Sequence, residues 1–301
     1  MRFFRRAFTM VELVLVIVVF GILAMISADI FVKIYDNYII ARTMNNLQTQ
    51  TELVLDQVAR RLQSRIKDST IARLEANSTE YVFLGDANES YKVLEWIGSA
   101  EEARRGKWDG NKYAPGWSGY IDLDAPGTGK ASAVTPGSRL DFANSIISDL
   151  SRNVVKLDGT AGWPAVVMDG HVGDYNVSSY GWHPHHDNKY ALWVKRFGNT
   201  RFDFNSTAKK EIYEHYKLAW SAYAVVPQCP DGVNDDCNLT LYYNYRPWQS
   251  QKFTDGSSSL LSEHVTTFKF RQMGDAVRLK LCIGENFYDK NISFCKEKVV
   301  F

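Results

Sequence analysis

Between Phe8 and Ala28 the chain carries one formal charge, Glu12, inside the run FTMVELVLVIVVFGILAMISA. A carboxylate at membrane depth costs roughly 2.5 to 3.5 kcal/mol on insertion scales, so the chemistry it offers is ion pairing with a cation brought to it. Other groups could do chemistry further along. GWHPHHDNKY gathers His183, His185, His186 and Asp187, donors suited to a transition metal, although a Pro between the histidines and the lack of an HExxH helix favour an exposed polar loop. CPDGVNDDCN bunches Asp231, Asn234, Asp235 and Asp236, oxygen donors for calcium that lack the EF-hand pattern and its bidentate Glu. The thiols of Cys229, Cys237, Cys282 and Cys295 suit disulfides or a four-Cys zinc site. Zinc pairs usually lie about two to four residues apart, which argues for disulfides, and local spacing favours Cys229 with Cys237 and Cys282 with Cys295 among three connectivities. APGTGKAS imitates a phosphate loop but lacks its first Gly and a Ser or Thr after Lys130, and is expected to be a turn.

The elements that must position these groups begin with a helix. About 20 apolar residues cross a hydrocarbon core, and Arg2, Arg5 and Arg6 before the run keep the N-terminus cytoplasmic. The run is too long for a signal peptide, and no Ala-x-Ala site follows it. No Pro precedes Pro115 and only Gly21 precedes Gly85, so a helix is expected to continue to about Arg65, a rod of roughly 87 Å from Phe8. Past the membrane Leu47, Thr51, Val54, Leu55, Val58, Leu62 and Ile66 form an amphipathic stripe. The expected organisation is a leader at 1–7, a membrane or filament-core helix at 8–28, a stem at 29–66 and a head at 67–301.

In the head, EYVFLG and YKVLEWIG alternate as strands, a candidate hairpin around DANES. From 99 to 199 the text is irregular, with one convincing helix in SRLDFANSIISDLSR. From HYKLAWSAYAVVP onward LTLYYNYRP, HVTTFKFRQM, AVRLKLCIG and KEKVVF suggest an antiparallel meander. The expected fold class is α+β: a long N-terminal helix packed on an antiparallel sheet with a large loop-rich insertion. The net charge of +1 leaves no electrostatic footprint for nucleic acid. Eight Trp and sixteen Tyr suit packed sheets and stiff loops.

RAFTMVEL resembles the processing site of type IV prepilins and type II secretion pseudopilins. The resemblance implies cleavage between Ala7 and Phe8 by a prepilin peptidase, N-methylation of Phe8, and a Glu12 that pairs with the terminal ammonium of a neighbouring subunit. Ala7 stands where the family usually has Gly, which bears on the rate of cleavage. LSEHVTTFKFRQMGDAVRLKLCIG and the stem LVLDQVARRLQSRI are similar to the J-type pseudopilin and the W-type minor pilin. The family implies extraction from membrane lipid of the bacterial inner membrane by an assembly platform protein and ATPase, and packing with other major and minor pilins. No catalytic constellation assembles from the sequence. Two alternatives stay open, a membrane-anchored periplasmic metal-dependent enzyme using WHPHHD and a DNA-uptake pilus tip protein.

Six Asn-x-Ser/Thr sites, Asn77, Asn88, Asn176, Asn205, Asn238 and Asn291, each follow an acidic residue by two positions, namely Glu75, Asp86, Asp174, Asp203, Asp236 and Asp289. The extended pattern resembles the acceptor of a bacterial oligosaccharyltransferase. Such clustering also arises from turn composition. A periplasmic head would expose these sites to that enzyme, and multi-site glycosylation is an expectation.

Overall fold

The computed structural model describes residues 9–160, 162–168, 175–204, 212–230, 236–287 and 290–301. Helix α1 (Met10–Gln63) is unbroken over 54 residues, about 81 Å at 1.5 Å per residue. With no Pro and a single Gly inside it, nothing interrupts its hydrogen-bond ladder. Its two halves live in different surroundings. Every residue from Thr9 to Tyr35 is exposed, whereas Leu47, Thr51, Val54, Leu55, Val58 and Leu62 are buried along one face, as the stripe requires. The buried Thr51 hydroxyl donates to the Leu47 carbonyl at 2.6 Å, so its polar atom costs little inside the core.

The strands in chain order are β1 (Ile71–Arg73), β2 (Tyr81–Phe83), β3 (Val93–Ser99), β4 (Gly106–Trp108), β5 (Tyr113–Pro115), β6 (Ser132–Val134), β7 (Ala165–Met168), β8 (Ala191–Phe197), β9 (Arg201–Phe204), β10 (Tyr216–Gln228), β11 (Cys237–Tyr245), β12 (Ser257–Met273), β13 (Ala276–Phe287) and β14 (Lys290–Val300). Two further helices are α2 (Glu101–Arg104) and α3 (Leu140–Leu150). Apart from the β4–β5 hairpin, the strands join one antiparallel sheet ordered β14-β13-β12-β11-β10-β7-β8-β9-β6, with β3 beside β10 and β1 between β3 and β2.

Two departures from expectation follow. EYVFLG and YKVLEWIG are strands but not a hairpin, because the three residues of β1 pair with Tyr81–Phe83 on one side and Val93–Glu95 on the other. The stretch 99–199 carries α2, α3 and β4 to β8, and its β7 pairs with Tyr216–Ala219 of β10. Long β10 makes this possible, since Tyr216–Ala219 pair with β7, Ala219–Val225 with β3 and Ala222–Gln228 with β11.

The stem lies on the last strands. Leu47, Val54, Leu55, Val58 and Leu62 share a core with Val277, Leu279, Leu281, Ile283 and Val300. At the margin Lys296 pairs with Glu52 at 2.9 Å and Lys298 with Asp56, exposed contacts that orient more than they stabilise. A second core gathers Trp117, Leu140, Ile147 and Phe202 around α3, and a third Trp182, Tyr180, Tyr245 and Trp248.

Candidate functional site

Glu12 sits in the first turn of α1, where the Thr9 hydroxyl accepts the Glu12 N–H at 3.4 Å. A carboxylate there is favoured by the helix dipole. Around it Met10, Val11, Leu13, Val14 and Leu15 are all more than half exposed. This half of α1 is long and apolar enough to cross a membrane once. A lone carboxylate on such a surface, once lipid or protein covers it, must be neutralised by a proton or by a paired cation. Ala7 and Phe8, the expected cleavage and methylation positions, lie outside the described residues.

All four cysteines form disulfides, Cys229 with Cys237 and Cys282 with Cys295, as spacing suggests. The second is a cross-strand pair, joining directly opposed residues of β13 and β14. Of the calcium candidates, Asp231, Asn234 and Asp235 lie outside the described residues. Asp236 is engaged by His264, with Nδ1 2.9 Å from its carboxylate.

The histidine cluster diverges. His183 Nδ1 stands 3.3 Å from His186 Nε2, but the His185 ring packs edge-on against Tyr81, and Asp187 accepts from the Ser179 hydroxyl at 2.7 Å and the Lys189 N–H at 3.2 Å. Desolvation, with Lys252, His186 and Arg73 nearby, holds His183 below the usual histidine range. No group of three metal-binding side chains converges among the described residues.

The Asn sites separate by local structure. Asn77 is exposed in a turn closed by the Ser78 N–H on the Glu75 carbonyl at 3.1 Å. The Asn88 and Asn176 Oδ1 atoms each accept the N–H of the acceptor serine, Ser90 and Ser178, at 2.9 Å. Asn238 and Asn291 are exposed but lie in β11 and β14, opposite Gln228 and Asn286. The Asn291 acceptor segment is thus strand, lying at the start of β14 between the paired Cys282 and Cys295. Asn205, Asp174 and Asp289 lie outside the described residues.

One polar cluster had no signal in the sequence. Arg73 Nε donates to Glu95 Oε1 at 2.5 Å with both side chains buried, and the Tyr245 hydroxyl donates to Glu95 Oε2 at 3.1 Å. Burial, then the Glu95 charge, pushes the Tyr245 phenol well up. The residues stand 22 and 150 positions apart, so only the pairing of β1 with β3 and the fold of β11 bring them together. Arg73 and Glu95 line a 130 Å³ pocket together with Asn77, His183 and Phe253.

The chain matches no family model, no curated protein and no solved structure.

Proposed function

We propose that this chain is a minor pilin or pseudopilin subunit of a type II secretion or type IV pilus filament. One observation carries the reading: a solitary carboxylate stands in the first turn of an exposed apolar half-helix that runs unbroken into a stem buried against an antiparallel sheet. In this reading a prepilin peptidase cuts before Phe8, the free half of α1 waits in the inner membrane with the head periplasmic, and an assembly platform protein and ATPase draw it into a filament. Glu12 then neutralises the terminal ammonium of a neighbouring pilin, which is how an apolar helical core accommodates both charges. The exposed Asn77, Asn88 and Asn176 turns serve in the same reading as glycan acceptors.

The test is Glu12→Leu in the native organism. Membrane insertion is expected to persist, while incorporation into filaments and co-purification with other minor pilins are lost. A variant that assembles normally, or a mature chain found to retain Met1, removes the filament reading.

A further inference from the structure

Strand β12 runs on past its neighbour. β11 pairs with it from Ser257 to Val265, where Cys237 is the last partner, whereas β13 follows it to Met273. Among the described residues, the other edge meets no strand from Thr266 to Met273 and receives no backbone hydrogen bond from another element. Eight residues of strand present roughly 26 Å of unpaired edge. A cleft of about 740 Å³ opens along it, lined also by the Ala87–Lys92 loop and the Cys229–Cys237 disulfide.

The side chains beside this edge are unbalanced in charge. Lys269 is directly opposite Lys280, and Arg271 directly opposite Arg278. Like charges so placed on a sheet face destabilise the strand pair. Glu297 accepts from Arg278 Nε at 2.8 Å and lies 3.8 Å from Lys280, and Glu89 reaches Lys269 at 2.7 Å. Arg271 has no ion-pair partner among the described residues. One lysine protects an edge from aggregation. Two opposed cation pairs beside an open cleft exceed that need.

We propose that the free edge of β12 receives an extended segment of a partner protein as an added strand, with acidic side chains at alternate positions facing Lys269 and Arg271. Strand addition gains affinity from main-chain hydrogen bonds and specificity from alternate side chains. Residues two apart on the added strand face one side of the sheet, as do Lys269 and Arg271 on β12. A nucleic-acid strand fits less well, because single-strand sites combine a basic groove with stacking aromatics. Here Phe268, Phe270 and Tyr91 line the cleft, but the two Phe are partly buried against the stem core and the Tyr91 hydroxyl is held by Glu80 at 3.1 Å. The proposal does not depend on the filament reading.

The test is fluorescence anisotropy of a labelled peptide of alternating Asp and Val, titrated with the full-length protein in detergent micelles. Saturable binding is expected. It should weaken at least about tenfold for a peptide of equal composition with contiguous Asp residues, and for the alternating peptide N-methylated on the amides that would join the ladder. Arg271→Thr should weaken binding by a similar factor while raising the melting temperature of the protein, since it relieves the opposition to Arg278. The proposal is overturned by no binding at millimolar peptide, by equal affinity for all three peptides, by a lower melting temperature in the variant, by tighter binding of a single-stranded oligonucleotide, or by self-association of the chain that Arg271→Thr abolishes.

Discussion

The buried guanidinium of Arg65 donates to the Asp275 carbonyl at 2.6 Å and to the Leu62 carbonyl at 2.9 Å, joining the end of the stem to the turn between β12 and β13. The contact links positions 210 apart and satisfies a carbonyl in the last turn of the helix. Arg65→Met leaves both carbonyls without this donor. Urea unfolding of the detergent-solubilised chain is expected to show a loss of about 1 to 3 kcal/mol, and an unchanged midpoint would show that the clamp carries no stability.

The buried Arg73–Glu95 pair should respond asymmetrically. Glu95→Ala strands the guanidinium and removes the acceptor of the Tyr245 hydroxyl, so a cost of about 3 to 5 kcal/mol is expected. The double variant Arg73→Met with Glu95→Met removes both charges together and should lose less than the single one. A loss in the double variant equal to the sum of the Arg73→Met and Glu95→Met single losses, measured by denaturant titration, would mean that the pair is not coupled.

Alkaline pH should unfold the head through its tyrosines. Burial, then the Glu102 charge, raises the Tyr223 phenol to about 12, and Tyr245 is held well above its usual range. A folded-state value above the unfolded value of about 10 gives stability that is whole below that pH and declines as pH rises through the folded value. The unfolding midpoint is expected to hold up to about pH 10 and fall from there to about 12, and to fall less steeply in Tyr223→Phe. The same slope in both proteins would exclude Tyr223 from the transition.

Glycan occupancy, if the acceptor pattern is used, should follow local structure. A transferase must bend the acceptor segment, which is easier in the turns at Asn77, Asn88 and Asn176 than in the hydrogen-bonded strands carrying Asn238 and Asn291. Intact-mass and glycopeptide analysis of native protein is expected to find glycan on the first three before the last two. Asp86→Ala should abolish modification of Asn88 while leaving its tripeptide intact, because the carboxylate supplies a charge-assisted contact to the enzyme. An unmodified mass leaves the six acidic residues as turn composition.

What the sequence disclosed was local. The stem stripe was readable because α1 has neither Pro nor competing Gly, and Leu47, Val54, Val58 and Leu62 obey a single period all the way to burial. Cys229–Cys237 was readable because eight residues allow little else. Pairings set by distant partners were hidden. Nothing in Ile71–Arg73 says that three residues will separate two better strands, and nothing in Glu95 distinguishes a core carboxylate from a surface one. The cations at Lys269, Arg271, Arg278 and Lys280 alternate with apolar residues, which reads as an ordinary solvated face. Their mutual opposition emerges only once the β12–β13 register is known.

The exposed half of α1 is a lever. Every residue from Thr9 to Tyr35 stands clear of the head, so Glu12 is carried about 36 Å beyond Asp36, where the rod begins to gain cover. A tilt of about ten degrees at that root swings the carboxylate by roughly 6 Å, more than the reach of an ion pair. The head can therefore deliver Glu12 to a neighbourhood but cannot aim it. Final alignment belongs to whatever grips the free length of the rod, and an error in that grip would be magnified at its tip.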